Sequence, residues 1–233
     1  MTLHEDQPTV PFDPMEGDTP HEECGVFGIM APGEDVARLT FFGLYALQHR
    51  GQESAGIASS DGDAINAFTH LGLVSQAFRE EDLKSLDGDI SIGHTQYSTT
   101  GSNNACNAGP MLAESDCGRI AVSHSSNLVN ASNIRNRLIA KGETFESTTD
   151  SEVLTRLIAL SQERPLSKVQ AAMPQMDGAY SLCVMTRSFA RCTRSPRRAT
   201  LCLGKFNDNW VIASESCALM TIRRRVRSRC RTW

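Results

Sequence analysis

The residue best suited to chemistry in this sequence is the cysteine at position 24. It follows the acidic pair Glu22-Glu23 and precedes the apolar run 25–29, Gly-Val-Phe-Gly-Ile, which is typical of a buried strand. If the bond before Cys24 is cut, one residue carries both a thiol and an α-amine. The two groups titrate at about 8.5 and about 7.7–8.0, so the amine can serve as the base for the sulfur. We predict that Cys24 is a nucleophile; the alternative is a structural cysteine, one of eight in the chain.

Composition excludes several classes of protein. The chain has 233 residues, 40% of them hydrophobic, and a net charge of -4, which indicates one large globular domain or two small ones. No run approaches the roughly 18 apolar residues of a membrane span, and the N-terminus lacks the features of a signal peptide. We therefore expect a cytoplasmic protein with reduced cysteines and no membrane partner. The cysteine spacing contains no CxxC pair, so no metal site is predicted.

The two ends of the chain carry opposite charge. Residues 1–23 combine four prolines with acidic residues, and residues 220–233 are rich in arginine. Both compositions are typical of disordered segments. The arginine-rich tail also permits an alternative function, nucleic-acid binding. This is disfavoured because the cluster contains no aromatic residue before Trp233 and the chain as a whole is acidic.

Periodicity predicts the elements that would position Cys24. Apolar spacing indicates helices over 34–47, 80–86, 130–141 and 150–160, with Thr149 or Asp150 as the N-cap of the last. A hairpin is expected over 201–214, turning at 207–209. Further strands are expected over residues 25–30, 54–59, 64–69, 72–78, 90–96, 120–124 and 178–185.

Ordered motifs connect these elements to a known family. The motifs are Cys24–Ile29, Leu47–Ile57, Leu71–Val74, Ile92–Thr99, His124–Ala131, Thr149–Leu154, Gly178–Leu182 and Leu201–Lys205. Taken together, they closely resemble the glutamine amidotransferase domain of amidophosphoribosyltransferases over about residues 23–219. The resemblance implies an α+β fold of the N-terminal-nucleophile (Ntn) hydrolase type, a four-layer αββα sandwich.

The same resemblance assigns the ends of the chain and the first site residues. Residues 1–23 correspond to a propeptide, 24–219 to a class-II glutamine amidotransferase domain, and 220–233 to a tail outside the family pattern. Cys24 is the implied nucleophile, and Asp150 is implied to hold the α-ammonium group of glutamine. For Asp150 the alternative is simple capping of the helix that starts there.

Three site positions depart from the family pattern. Gln96 stands where the family has an arginine that pairs with the substrate carboxylate. Ser125 and Ser126 stand where the family has Asn-Gly, whose amide groups form the oxyanion hole. Losing one oxyanion donor costs about 2.7–4 kcal/mol in the transition state, and the lost arginine contact about 1.5–3 kcal/mol. A catalytically impaired remnant, or pseudoenzyme, is therefore the alternative to an active enzyme.

The resemblance also implies the wider function. The domain would release ammonia from L-glutamine for phosphoribosylamine formation in de novo purine synthesis. The family's phosphoribosyltransferase domain is absent from this sequence, so magnesium and any iron-sulfur cluster would belong to that domain and this chain would hold no cofactor. Family members are homo-oligomers. Residues 187–200 and 220–233 depart from the sequence pattern of the family. We hypothesise that both segments are translated out of frame, which resequencing of the gene would test.

Overall fold

The computed structural model describes residues 24–97, 104–195, 200–222 and 231–232. The predictions for residues 1–23 and for most of the tail therefore lie outside the described residues. No helix in the described part of the chain is long and apolar enough to cross a membrane.

Strands make up two antiparallel sheets. The larger has seven strands in the order β11-β9-β10-β1-β4-β2-β3, and the smaller has four in the order β5-β6-β7-β8. The strands are β1 (Gly25–Met30), β2 (Ser54–Ser60), β3 (Ile65–Leu71), β4 (Ile90–Gln96), β5 (Met111–Ala113), β6 (Ile120–Leu128), β7 (Gly178–Met185), β8 (Ala190–Arg194), β9 (Cys202–Phe206), β10 (Asn209–Ala213) and β11 (Arg231–Thr232).

Helices cover the outer faces of both sheets. α1 packs on β1, β2 and β4 of the larger sheet, and α5 packs on β5 and β6 of the smaller one. The helices are α1 (Val36–Ala46), α2 (Val74–Ala77), α3 (Glu80–Lys84), α4 (Ala131–Ile139), α5 (Asp150–Ala159), α6 (Pro165–Ala172) and α7 (Ser216–Thr221), with short 3₁₀ helices at Gln48–Arg50, Ala105–Asn107 and Met173–Gln175.

Three apolar clusters separate the four layers. One lies between α1 and the larger sheet, one between the smaller sheet and helices α4 to α6, and the third between the sheets around Val26, Ile92 and Cys183. Phe27 of β1 is fully buried beneath α1. A side chain at Gly43 would come within 2.4 Å of the Phe27 ring, so only glycine allows the helix to approach this closely.

The sequence interpretation was wrong at one element and incomplete at others. Residues 72–78 were expected to form a strand, but 74–77 form α2. The Gln48 side chain accepts from the Val74 backbone at 2.6 Å, and Val74 and Ala77, three residues apart, are both buried. This tertiary cap stabilises a helical turn that local propensity does not predict. Strand β6 also continues to Leu128, beyond its expected end at His124, while β5, α6 and β8 were not predicted.

Candidate active site

Cys24 lies immediately before β1, and the first two amides of β1 are bound by side chains from β4 and from the residue after β10. The Gly25 amide donates to Thr95 Oγ1 at 3.2 Å, and the Val26 amide donates to Ser214 Oγ at 2.9 Å. The half-buried Cys24 sulfur lies 3.6 Å from the backbone oxygen of Tyr97, to which it donates. The main chain that follows the predicted nucleophile is therefore held by two side chains, while the sulfur of Cys24 faces the end of β4.

An arginine that follows α1 holds the carbonyl oxygen of Cys24. Arg50 Nε donates to this oxygen at 3.3 Å, and Arg50 Nη1 donates to Glu215 Oε1 at 2.7 Å. The Arg50 side chain is 13% exposed and the Glu215 side chain 34%, so the ion pair is partly shielded from solvent, mainly on the arginine side. The sequence analysis gave no role in the site to Arg50 or to Glu215, which is 165 residues away in the chain.

Strand β6 brings Ser125 to the same carbonyl. The buried Ser125 hydroxyl donates to the backbone oxygen of Cys24, so Arg50 and Ser125 approach it from different elements. Ser126 follows in the strand, where its register partner is Tyr180 of β7. The structure thus brings the serine at the expected oxyanion position into direct contact with Cys24, and its role in catalysis stays a prediction.

Asp150 is the first residue of α5 but does not cap the helix. The cap is Thr149, whose side chain accepts from the Glu152 amide at 3.2 Å. Asp150 Oδ2 instead accepts from the Leu128 amide at 2.9 Å, and its Oδ1 lies 3.7 Å from His124 Nδ1. The alternative of simple capping is therefore wrong for Asp150, whose carboxylate contacts the end of β6.

Gln96 is the last residue of β4 and precedes Tyr97. Its buried side chain accepts from Ser54 Oγ at 3.0 Å through Oε1. Strand pairing between β1 and β4 places Thr95 opposite Gly25, so Gln96 lies at the Cys24 end of the sheet. The structure therefore brings Gln96 to the same end of the fold as Cys24 and Ser125.

The electrostatic surroundings keep the thiol protonated. Burial of the sulfur raises the pKa of Cys24 to about 11, and the Asp150 carboxylate adds to the rise while Arg50 opposes it. With that pKa, about one molecule in 10⁴ would carry a thiolate at neutral pH. A nucleophilic Cys24 therefore requires a base within reach of its sulfur.

Two buried histidines join the sheets behind this site. His94 Nε2 donates to the backbone oxygen of His124 at 2.8 Å, and His124 Nδ1 lies 3.0 Å from Ser151 Oγ. Burial lowers the pKa of both, to about 4 for His94, so both rings are neutral at physiological pH. Neutral rings in this position serve as hydrogen-bonding supports for β4 and β6.

A family model decides the ancestry. The glutamine amidotransferase domain model matches residues 94–221, more than half of the chain. The chain belongs to this family. The amidotransferase domain is also 44% identical over 210 residues to amidophosphoribosyltransferase from Synechococcus elongatus, covering 87% of this chain and 43% of the relative. It is 42% identical over 204 residues to the protein of the same name from Methanocaldococcus jannaschii, covering 85% of this chain and 43% of the relative.

Solved structures agree with this assignment. Glutamine phosphoribosylpyrophosphate amidotransferase from B. subtilis, solved with ADP and GMP, superposes with a TM-score of 0.81 at 33% identity, over 89% of this chain and 44% of that one. A second structure, described as the allosteric regulatory enzyme of purine biosynthesis, gives a TM-score of 0.82 at 33% identity, over 90% of this chain and 44% of that one. The Ntn hydrolase fold is therefore confirmed. The amidotransferase domain spans less than half the length of these relatives. The relatives are named as enzymes, which favours an enzyme over a pseudoenzyme for this chain as well.

Proposed function

We propose that this chain is the glutamine-hydrolysing part of an amidophosphoribosyltransferase, with Cys24 as its N-terminal nucleophile. The observation that carries this proposal is the clasp on the Cys24 carbonyl by Arg50 and Ser125, within an amidotransferase fold. The clasp fixes the main chain and leaves the sulfur and the α-nitrogen as the reactive atoms. L-Glutamine is the substrate, and its side-chain amide is the group attacked.

Removal of residues 1–23 would supply the base that the thiol lacks. An amide nitrogen bonded to Glu23 cannot accept a proton, whereas a free α-amine titrates at about 7.7–8.0. The amine takes the thiol proton as sulfur attacks the amide carbon, and passes it to the departing nitrogen, which leaves as ammonia. Water then hydrolyses the thioester to glutamate and regenerates the thiol. This chemistry needs no metal or cofactor in the chain.

Recognition of glutamine would use the residues around Cys24. The carboxylate of Asp150 is suited to the α-ammonium group of the substrate, because opposite charges attract strongly at a partly buried site. The amide N–H of Gln96 would take the place of the family's arginine and donate to the α-carboxylate, more weakly because the donor carries no charge and cannot form the bidentate pair. The backbone amide of Ser126 would face the developing oxyanion, and the Ser125 hydroxyl would donate to it only after releasing the carbonyl oxygen of Cys24.

The ammonia would pass to a phosphoribosyl pyrophosphate-dependent transferase, forming phosphoribosylamine for purine synthesis in the cytoplasm. This step rests on the names of the relatives, of which the chain covers less than half. A homo-oligomer is proposed on the same ground. Nucleic acid is not proposed as a partner.

The experiment uses protein whose chain begins at Cys24, released from a cleavable fusion and verified by intact mass. We expect stoichiometric release of ammonia and glutamate from L-glutamine, and no release by protein that retains residues 1–23. Equal activity in both forms would contradict the role of the α-amine. A folded protein with a free Cys24 amine that releases no ammonia would contradict the proposed function.

A further inference from the structure

A second group of reactive side chains lies beside the Arg50–Glu215 ion pair. His49, Glu215 and Cys217 each offer one metal-ligating atom, and the three atoms all lie within 4.8 Å of one another. Glu215 Oε2 is the shared corner, 3.0 Å from His49 Nε2 and 3.6 Å from Cys217 Sγ. We propose that this cluster, named here the His-Glu-Cys cluster, is a binding site for Zn²⁺.

The spacing of the three atoms fits a tetrahedral ion. With zinc–ligand bonds of about 2.0–2.3 Å, neighbouring ligand atoms in a tetrahedron are separated by about 3.3–3.8 Å. The 3.6 Å distance from Cys217 Sγ to Glu215 Oε2 lies in that range, and the 3.0 Å distance from His49 Nε2 lies below it. The His49 side chain is 56% exposed, so its ring has room to move outward when an ion binds. The fourth position would be filled by water from the open side of the cluster.

The chemistry of the donors selects the ion. A thiolate, an imidazole nitrogen and one carboxylate oxygen suit Zn²⁺, whereas Mg²⁺ prefers an octahedral shell of oxygen atoms. Binding replaces the hydrogen bonds from His49 and Cys217 to Glu215 with coordinate bonds. The Cys217 thiol releases its proton to solvent, and the proton on His49 Nε2 also leaves that nitrogen, so that the ring keeps a proton on Nδ1 alone and binds the ion through Nε2.

Arg50 is the main argument against a cation here, since its guanidinium contacts the same carboxylate. It uses the other oxygen, however: Arg50 Nη1 lies 2.7 Å from Glu215 Oε1, while Oε2 faces His49 and Cys217. An outer hydrogen bond of this kind orients a ligating carboxylate. The two anionic ligands, Glu215 and the Cys217 thiolate, balance the two charges of the ion, and the charge of Arg50 remains as the net charge of the group.

The site would clamp two distant segments. His49 belongs to the 3₁₀ helix after α1, and Glu215 and Cys217 lie at the start of α7. His49 and Glu215 are 166 residues apart in the chain. The absence of a CxxC pair does not exclude it, because the fold assembles the donors. Glu215 also orients Arg50 on the carbonyl of Cys24, so the clamp lies directly behind the proposed nucleophile.

The test titrates the full chain, freed of metal by chelation, with Co²⁺ as a spectroscopic substitute and with Zn²⁺ in competition. We expect a thiolate-to-cobalt absorption band that Zn²⁺ abolishes and Mg²⁺ does not. The band should disappear in Cys217→Ser and persist in Cys24→Ser and in Cys106→Ser, which removes an exposed thiol elsewhere. His49→Gln, at an exposed position, should weaken Zn²⁺ at least about tenfold.

A second readout keeps the site testable if Cys217→Ser folds poorly. Saturating Zn²⁺ should raise the melting temperature of the full chain, because an ion that binds only the folded state stabilises it. The rise should shrink in His49→Gln. A cobalt band lost in Cys24→Ser but kept in Cys217→Ser would place the metal on the nucleophile and overturn the proposal. No band in the full chain, or an equal melting shift in His49→Gln, would also overturn it.

Discussion

The two strands that meet at Cys24 differ in how they relate to the family pattern. Strand β1 keeps the family's motif, and the side chains of Thr95 and Ser214 bind its first two amides. Strand β6 pairs with β7 from Ala121↔Met185 to Leu128↔Gly178, yet it carries Ser125 and Ser126 where the resemblance implies Asn-Gly. The backbone hydrogen bonds that pair the strands do not involve these side chains. A scaffold of this kind can therefore retain its geometry while the groups that face the substrate change.

The largest effect should come from the nucleophile itself. Cys24→Ser in protein that begins at residue 24 should lower glutaminase kcat at least about 10⁴-fold, because a hydroxyl paired with an α-amine is a much poorer nucleophile than the thiol. The measurement is ammonia release from L-glutamine, with Cys106→Ser as the matched thiol control. Substantial activity in the serine variant would show that the Cys24 sulfur is not the nucleophile.

Repair of β6 should have the next largest effect. Ser125→Asn combined with Ser126→Gly should raise kcat about 10²- to 10³-fold, because an oxyanion donor meets full negative charge only in the tetrahedral intermediate. Ser123→Ala is a control on the same strand, since the buried Ser123 hydroxyl has no partner among the described residues. If the double variant changed KM alone, the assignment of Ser125 and Ser126 to the oxyanion position would be wrong.

The spacing of apolar residues was sufficient to predict those strands in which buried positions recur regularly. The expected strand over 25–30 matches β1, and the expected hairpin over 201–214 is formed by β9 and β10. Its turn places Asn207 at a φ of 54°, a left-handed conformation that asparagine tolerates well. These elements follow from local pattern, so one sequence is enough to predict them.

Contacts between distant segments could not be predicted in the same way. The Arg50–Glu215 pair and the Ser125–Cys24 contact join residues 165 and 101 positions apart. Local pattern also gave the wrong element at α2, where the deciding interaction is the cap from Gln48. The site residues Cys24, Asp150, Gln96, Ser125 and Ser126 were predicted by resemblance, and their catalytic roles stay predictions.

The third effect is on folding stability and concerns His94, whose hydrogen bond to the backbone of His124 links the two sheets. His94 is neutral and buried with a pKa of about 4, against 6.5 in the unfolded chain. The unfolded state therefore binds more protons between these values, and stability is complete above pH 6.5 and falls as the pH drops towards 4. The loss should be about 3 kcal/mol for this residue.

Urea unfolding measured from pH 7.5 to 4.5 checks this expectation. His94→Gln should flatten the decline in the free energy of unfolding, whereas His70→Gln, at an exposed position, should not. Carboxylates whose pKa is lowered in the folded state, such as Glu152, also reduce the free energy of unfolding as the pH falls. They do so at more acidic pH, because the pKa of Glu152 in the unfolded chain is near 4.5. A decline that is unchanged in His94→Gln would assign the pH dependence to other groups.

The smallest expected effect, at Gln96, separates binding of the substrate from chemistry on it. Gln96→Arg should lower KM about ten- to hundredfold and leave kcat unchanged, because the contact with the substrate carboxylate is the same in the ground state and the transition state. The gain corresponds to the roughly 1.5–3 kcal/mol of a charge-assisted hydrogen bond. Gln96→Lys is the matched comparison: it adds the charge without the planar fork of the guanidinium, so the decrease in KM should be smaller.

The Gln96 side chain accepts a hydrogen bond from Ser54 at a buried position, and an arginine at position 96 would lose this contact. A cooperative melt of each variant therefore comes before the kinetics. If kcat rose while KM stayed constant, Gln96 would face the reacting amide rather than the α-carboxylate, and the binding and oxyanion positions assigned to β4 and β6 would have to be exchanged.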